Sequence, residues 1–160
     1  MRTYRTEMRV EGRTSDVLDV LCDPEACARW SPVPFEIKEI GSARLQGGTR
    51  ARIEGRLAGW TAEFDIEVRE AGRDGLWLRT RGPVELDVRY ELYEAGCDTD
   101  VRASVSVERA HGLRGRVLAH AADTIVAAGI LRRAVSGIAR EVEARAERCG
   151  AHPGRRAAAA

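Results

Sequence analysis

Between residues 34 and 108 apolar and polar residues alternate through six consecutive segments, and residues 113–149 carry the spacing of one long helix. Alternation sends successive side chains to opposite faces of a strand, whereas helical spacing gathers every third or fourth residue on one stripe. A sheet that buries one face against a single helix satisfies both patterns at once. The expected inner face holds Tyr4, Thr6, Met8, Phe35, Ile37, Trp60, Ala62, Phe64, Ile66, Leu78, Thr80, Leu86, Val88, Tyr90, Ala103, Val105 and Val107, a wall suited to an apolar guest.

Residues 3–11 alternate and read as a first strand. Thr14 or Ser15 can cap a short helix, and Asp23 followed by Pro24 starts a second that ends near Trp30. Strands over 35–45, 50–57, 60–70, 76–81, 84–94 and 99–108 follow with short connections, so neighbours pair antiparallel. Register can be read at two hairpins. A turn at Ala58 and Gly59 sets Leu57 against Trp60, Ile53 against Phe64, Ala51 against Ile66, Arg52 against Asp65 and Arg50 against Glu67, with Glu54 against Glu63 as the one mismatch. A turn at 95–98 sets Leu92 against Val101, Tyr90 against Ala103, Val88 against Val105 and Glu91 against Arg102.

The long helix has two characters. Residues 117–131 are apolar on nearly every side, and 132–148 are amphipathic. The stripe Val117, Ala121, Thr124, Ala128, Leu131, Val135 and Ile138 is the expected sheet-facing one, with Thr124 inside and His120 on its margin. The fold class is therefore α+β: a curved seven-stranded antiparallel sheet, two short helices and a long C-terminal helix. One domain over 1–149 is expected, followed by a disordered tail over 150–160.

At 160 residues and 44% hydrophobic content the chain can bury a core without disulfides or metals. Its formal charge of +1 gives no general reason to expect nucleic acid as a partner. Cys22, Cys27, Cys97 and Cys149 form no C-x-x-C pair and approach no histidine at zinc-ligand spacing, so reduced thiols and no metal are expected. No signal-peptide core opens the chain, and no apolar run reaches the roughly 18 residues of a membrane span. A cytoplasmic location is the expectation. Phosphate-cradle, dinucleotide, serine-hydrolase and zinc-protease motifs are missing, so no cofactor is expected.

The element order, the Asp23-Pro24-Glu25 segment running to Trp30-Ser31-Pro32, and Gly47-Gly48-Thr49-Arg50 opening a strand together resemble the START/Bet v 1-like superfamily, closest in look to its polyketide cyclase/dehydrase branch. The resemblance covers essentially the whole chain. It implies a helix-grip fold with a deep apolar cavity between sheet and long helix, open near the helix's N-terminal half. Relatives of that kind include enzymes, carriers and interaction proteins, so fold alone does not choose among them. No stretch matches the polar active-site residues of the aromatic polyketide aromatase/cyclases.

Chemistry can reside in few places. Tyr90 is an inward phenol that could orient a carbonyl or donate a proton, or could be a core tyrosine bonded to backbone. His120 and Asp123 lie three residues apart on the helix and could act as an acid–base pair, or be a solvated surface pair. Trp30, at the exit of the second short helix, is either a gate or a staple. With Phe35, Trp60, Phe64, Thr80, Val88, Val105 and Thr124 it makes up the expected ligand-contacting set. These residues predict binding of a small hydrophobic molecule, with cyclisation or dehydration of a polyketide-like intermediate by Tyr90, His120 and Asp123. The alternatives are a non-catalytic carrier or sensor of a lipid-like ligand, and an interaction module whose apolar helix half forms a partner surface or homodimer.

Overall fold

The computed structural model describes residues 2–57, 59–127 and 129–150, Leu57 by its backbone alone. Seven strands, β1 (Arg2–Val10), β2 (Phe35–Ile40), β3 (Arg50–Leu57), β4 (Trp60–Gly72), β5 (Gly75–Arg81), β6 (Val84–Ala95) and β7 (Asp98–Ala110), form one antiparallel sheet in the order β1-β7-β6-β5-β4-β3-β2. Both hairpin registers read from the sequence are observed pair for pair. Cross-strand apolar pairs on one face and opposite charges on the other leave no equally good slip. The mismatch of Glu54 with Glu63 is relieved from the next strand, where Lys38 Nζ lies 3.8 Å from Glu54 and 3.1 Å from Glu36.

Two short helices, α1 (Thr14–Leu21) and α2 (Pro24–Trp30), separate β1 from β2. Asp23 caps α2 by accepting from the Glu25 N–H at 3.0 Å, with Pro24 opening the helix. At α1 the expected cap is displaced: Thr14 is already helical, its hydroxyl is buried without a partner, and Asp16 instead accepts from the Arg13 N–H at 3.2 Å.

The expected single helix is two, α3 (Gly112–Ala127) and α4 (Ile130–Gly150). Gly129 between them has φ +90°, a conformation that breaks helical phase and that glycine adopts without steric cost. The stripe expected from α4 holds, with Leu131, Val135, Ile138 and Val142 buried. Extrapolated backward through the break it fails: Val117 is 52% exposed and Thr124 is exposed, while Gly115, Leu118 and Ala122 are the buried positions of α3. The inward face of α3 is thus displaced by one residue. Gly150, at the start of the expected tail, closes α4; Ala58, Ala128 and 151–160 lie outside the described residues.

The concave face is solid at one end and hollow at the other. Val10, Val68, Leu76, Leu92 and Val101 pack with Val17, Val20 and Leu21 of α1 and Val135, Ile138 and Val142 of α4. Four residues along the same strands from Val68, Leu92 and Val101, Phe64, Val88 and Val105 face a space roofed by α3 and the start of α4.

A hollow, uncharged cavity beneath α3

The hollow end holds a half-open cavity of about 300 Å³, at the lower end of the range for small-molecule sites. Phe35, Ile37, Ile53, Phe64, Ile66, Leu78, Val88 and Val105 form its sheet wall. Ala122, Ile125, Val126, Ile130, Leu131 and Ala134 form the helical roof, and Cys27, Trp30, Ser31, Pro32 and Val33 close one side. Among the described residues no Asp, Glu, Lys, Arg or His lines it.

Its few polar atoms are unevenly supplied with partners. Thr80 Oγ1 accepts from the Leu86 N–H at 3.2 Å, Ser31 Oγ donates to the Val33 carbonyl at 2.9 Å, and the Cys27 thiol donates to the Leu21 carbonyl at 3.2 Å. Tyr90 and Trp30 stand edge to face, centroids 5.7 Å apart and planes at 81°. The Tyr90 side chain is 6% exposed, and among the described residues nothing hydrogen-bonds its hydroxyl. Trp30 Nε1 is buried without a partner. The indole is near enough to Cys27 to favour its thiolate slightly, but the contact lacks the geometry of a hydrogen bond. Burial, with lesser help from Cys22 and Asp23, pushes the Cys27 thiol up to about 12. Burial also pushes the Tyr90 phenol well above its ordinary value, with Cys27 adding to the effect. Both groups stay protonated at neutral pH, so Tyr90 can donate a hydrogen bond or a proton but does not serve as a base.

Seven of the residues singled out in the sequence meet here: Trp30, Phe35, Phe64, Thr80, Val88, Tyr90 and Val105. Four do not. Trp60 is 49% exposed at the end of β4, its ring 6.0 Å from the Arg114 guanidinium carbon. Thr124 faces outward and donates to the His120 carbonyl at 2.9 Å. His120 is exposed. Asp123 accepts from the Tyr4 hydroxyl at 3.1 Å and lies 3.8 Å from Arg2, so its carboxylate is held by β1 and not by the imidazole. The displaced phase of α3 explains all three helical misplacements. In the apolar half of the long helix Ile125, Val126 and Ile130 roof the cavity, while Val117 is 52% exposed.

Cys27 is among the cavity residues that sequence reasoning missed, with Ile125, Val126, Ile130 and Ala134 of the helical roof. For Cys27 the spacing of one turn from Trp30 on α2 was the available signal. The outer face has its own aromatic site, but a filled one: Trp77 lies under Arg89, 4.0 Å from its centroid, and Arg69 is 5.9 Å away. The Trp77 N–H donates to the buried Asp87 at 2.8 Å, an arrangement that satisfies the sheet's convex side.

No family model matches the sequence, and no curated protein matches it either. Solved structures do match it. The Zhui aromatase/cyclase from Streptomyces sp. R1128 superposes with a TM-score of 0.63 at 21% identity, covering 96% of this chain and 98% of that one. A START superfamily protein from Mycobacterium smegmatis gives 0.60 at 16% identity, covering 92% and 98%. DynU16, a protein of the dynemicin biosynthetic locus, gives 0.58 at 24% identity, covering 88% of this chain and 47% of its own. The fold is the helix-grip fold of the START/Bet v 1-like group.

Proposed function

We propose that the protein binds a small hydrophobic molecule between the sheet and α3. The observation that carries this is the hollow end itself: a space of about 300 Å³ walled by aliphatic and aromatic side chains and free, among the described residues, of charge. An apolar guest in this hollow would remove the surrounding aliphatic and aromatic surface from water, which is the favourable direction of the hydrophobic effect. No membrane-spanning helix is present among the described residues, nor any cluster of metal-ligating side chains.

Cyclisation or dehydration of a polyketide-like intermediate is the second reading, favoured by the likeness to an aromatase/cyclase and to a biosynthetic-locus protein. In this cavity such a reaction would draw mainly on holding a flexible chain in a folded shape, with Tyr90 as the proton donor. His120 is too exposed to share in it. Under this reading Tyr90→Phe abolishes turnover while His120→Ala leaves it unchanged.

Binding is tested with 2-ethylnaphthalene by thermal shift. At a ligand concentration 100 times Kd the native state gains about 2.7 kcal/mol, and Tm rises accordingly. Val88→Trp, which fills the hollow, removes the rise. A Tm indifferent to the hydrocarbon in the wild-type protein refutes the proposal.

A further inference from the structure

Granted a hydrophobic ligand, the polar corner of the cavity says what kind. Trp30 Nε1 is a donor and nothing else, and it is buried without an acceptor. The neighbouring Tyr90 hydroxyl is likewise unpaired among the described residues. A buried donor left unmade keeps its desolvation cost, so these two groups reward whatever brings them an acceptor. Other polar groups in the lining do not compete, since the Cys27 thiol proton is given to Leu21 and the Ser31 hydroxyl proton to Val33. Thr80 stands four cross-strand pairs further along, about 13 Å away at the rise of a β-strand. The corner is also held in place: at Gly137 of α4 a Cβ would lie only 2.5 Å from the Trp30 carbonyl oxygen, so the backbone carrying the indole is seated directly on the helix.

The missing partner is therefore an acceptor, and one oxygen with two lone pairs can serve both donors. It is also uncharged. A carboxylate placed here would lose its hydration with no cation among the described lining residues to replace it.

We infer that the ligand is a neutral hydrophobe carrying one accepting oxygen, in class a ketone, ester or quinone, bound with that oxygen at Trp30 and Tyr90, and that its carboxylic acid counterparts are excluded. This rests on the cavity being the binding site, and three probes of one shape separate the two claims: 2-acetylnaphthalene, 2-ethylnaphthalene and 2-naphthoate at pH 7.5. By calorimetric titration the ketone binds about five- to ten-fold more tightly than the hydrocarbon, the gain of a net hydrogen bond or slightly more. The naphthoate binds about 100-fold more weakly than the ketone, or not measurably. Tyr90→Phe and Trp30→Phe each lower the ratio of ketone to hydrocarbon affinity measured on the same variant. In ¹H–¹⁵N spectra the Trp30 indole resonance moves downfield with the ketone and not with the hydrocarbon, a readout that needs no variant to fold. Equal affinity of ketone and hydrocarbon with an unmoved indole signal overturns the inference and leaves the cavity reading standing. So does naphthoate binding as tightly as the ketone. If the hydrocarbon and ketone both fail to bind, the cavity reading falls and this inference with it.

Discussion

Gly137→Ala should destabilise this protein, although the same change on an open helix face would stabilise it. In the interior of a helix alanine is favoured over glycine by about 1 kcal/mol. At Gly137 the added methyl would meet the Trp30 carbonyl oxygen at 2.5 Å and Trp30 Cβ at 3.2 Å. The closer atom is backbone, fixed where α2 ends by the Ser31 N–H bond to the Cys27 carbonyl at 3.0 Å, so it cannot swing away as a flexible side chain would. Separating α2 from α4 by most of an ångström is overpacking in which backbone must move, which puts the cost in the upper part of the usual range, about 2–3 kcal/mol. The balance is a loss of about 1–2 kcal/mol. For a chain of this size each kcal/mol is about 2–4 °C in Tm, so circular dichroism melting should show a fall of about 2–8 °C. Arg140→Ala, on the exposed face of the same helix, is the control and should stay within about 1 °C. A rise in Tm for Gly137→Ala would mean that propensity outweighs the contact, and the seating of Trp30 on α4 would be wrong.

Other outcomes follow from single groups. Tyr90→Phe should leave Tm unchanged or raised, because its hydroxyl has no partner to lose; a fall of several degrees would reveal one. Asp87→Ala strands the Trp77 N–H and uncovers Arg89, whose Nε lies 3.0 Å from Asp87, and should cost about 1–3 kcal/mol in urea denaturation. Iodoacetamide at pH 8 should label the exposed Cys97 and Cys149 in the native protein and spare Cys27, whose thiol is pushed up to about 12, while denatured protein takes up label at all four; mass spectrometry counts the adducts. Burial acts to raise the Asp23 carboxyl, but hydrogen bonds from the Ala26 and Glu25 amides and Arg145 together hold it below the ordinary carboxylate range. Its stabilising contribution is therefore complete above the unfolded value of about 3.9 and disappears as pH falls through the lower folded value. Melting curves between pH 6 and 2 should show a shallower acid limb for Asp23→Asn, which keeps a capping side chain but does not titrate.

What could be read from the chain and what could not divide along physical lines. The β3–β4 and β6–β7 registers were legible because residues such as Arg52 and Asp65, or Val88 and Val105, must agree on both faces at once. The α4 stripe was legible for the same reason, since Val135, Ile138 and Val142 repeat at one period without interruption. The stripe of α3 was not, because one glycine at φ +90° resets the phase and a period cannot be carried across it. That reset is what put Thr124 and His120 on the wrong side. The pairing of Asp123 with Tyr4 was beyond reach as well, since it joins residues 119 positions apart and local spacing offered His120 first. Phe35, Phe64, Thr80, Val88, Tyr90 and Val105 were found because strand alternation alone assigns them inward. Trp30 was placed in the contact set from its position at the exit of α2, but its neighbour Cys27 was not, because the docking of that short helix is displayed only by the folded chain.

The most direct test of a cavity that holds an apolar guest is a ¹³C-methyl NMR titration with 2-ethylnaphthalene. Shifts at Val88, Val105, Ile125 and Leu131, with Val117 and the 81% exposed Leu113 unmoved, are the predicted result. Shifts confined to Leu113 and Val117, or no shifts at all, would contradict it.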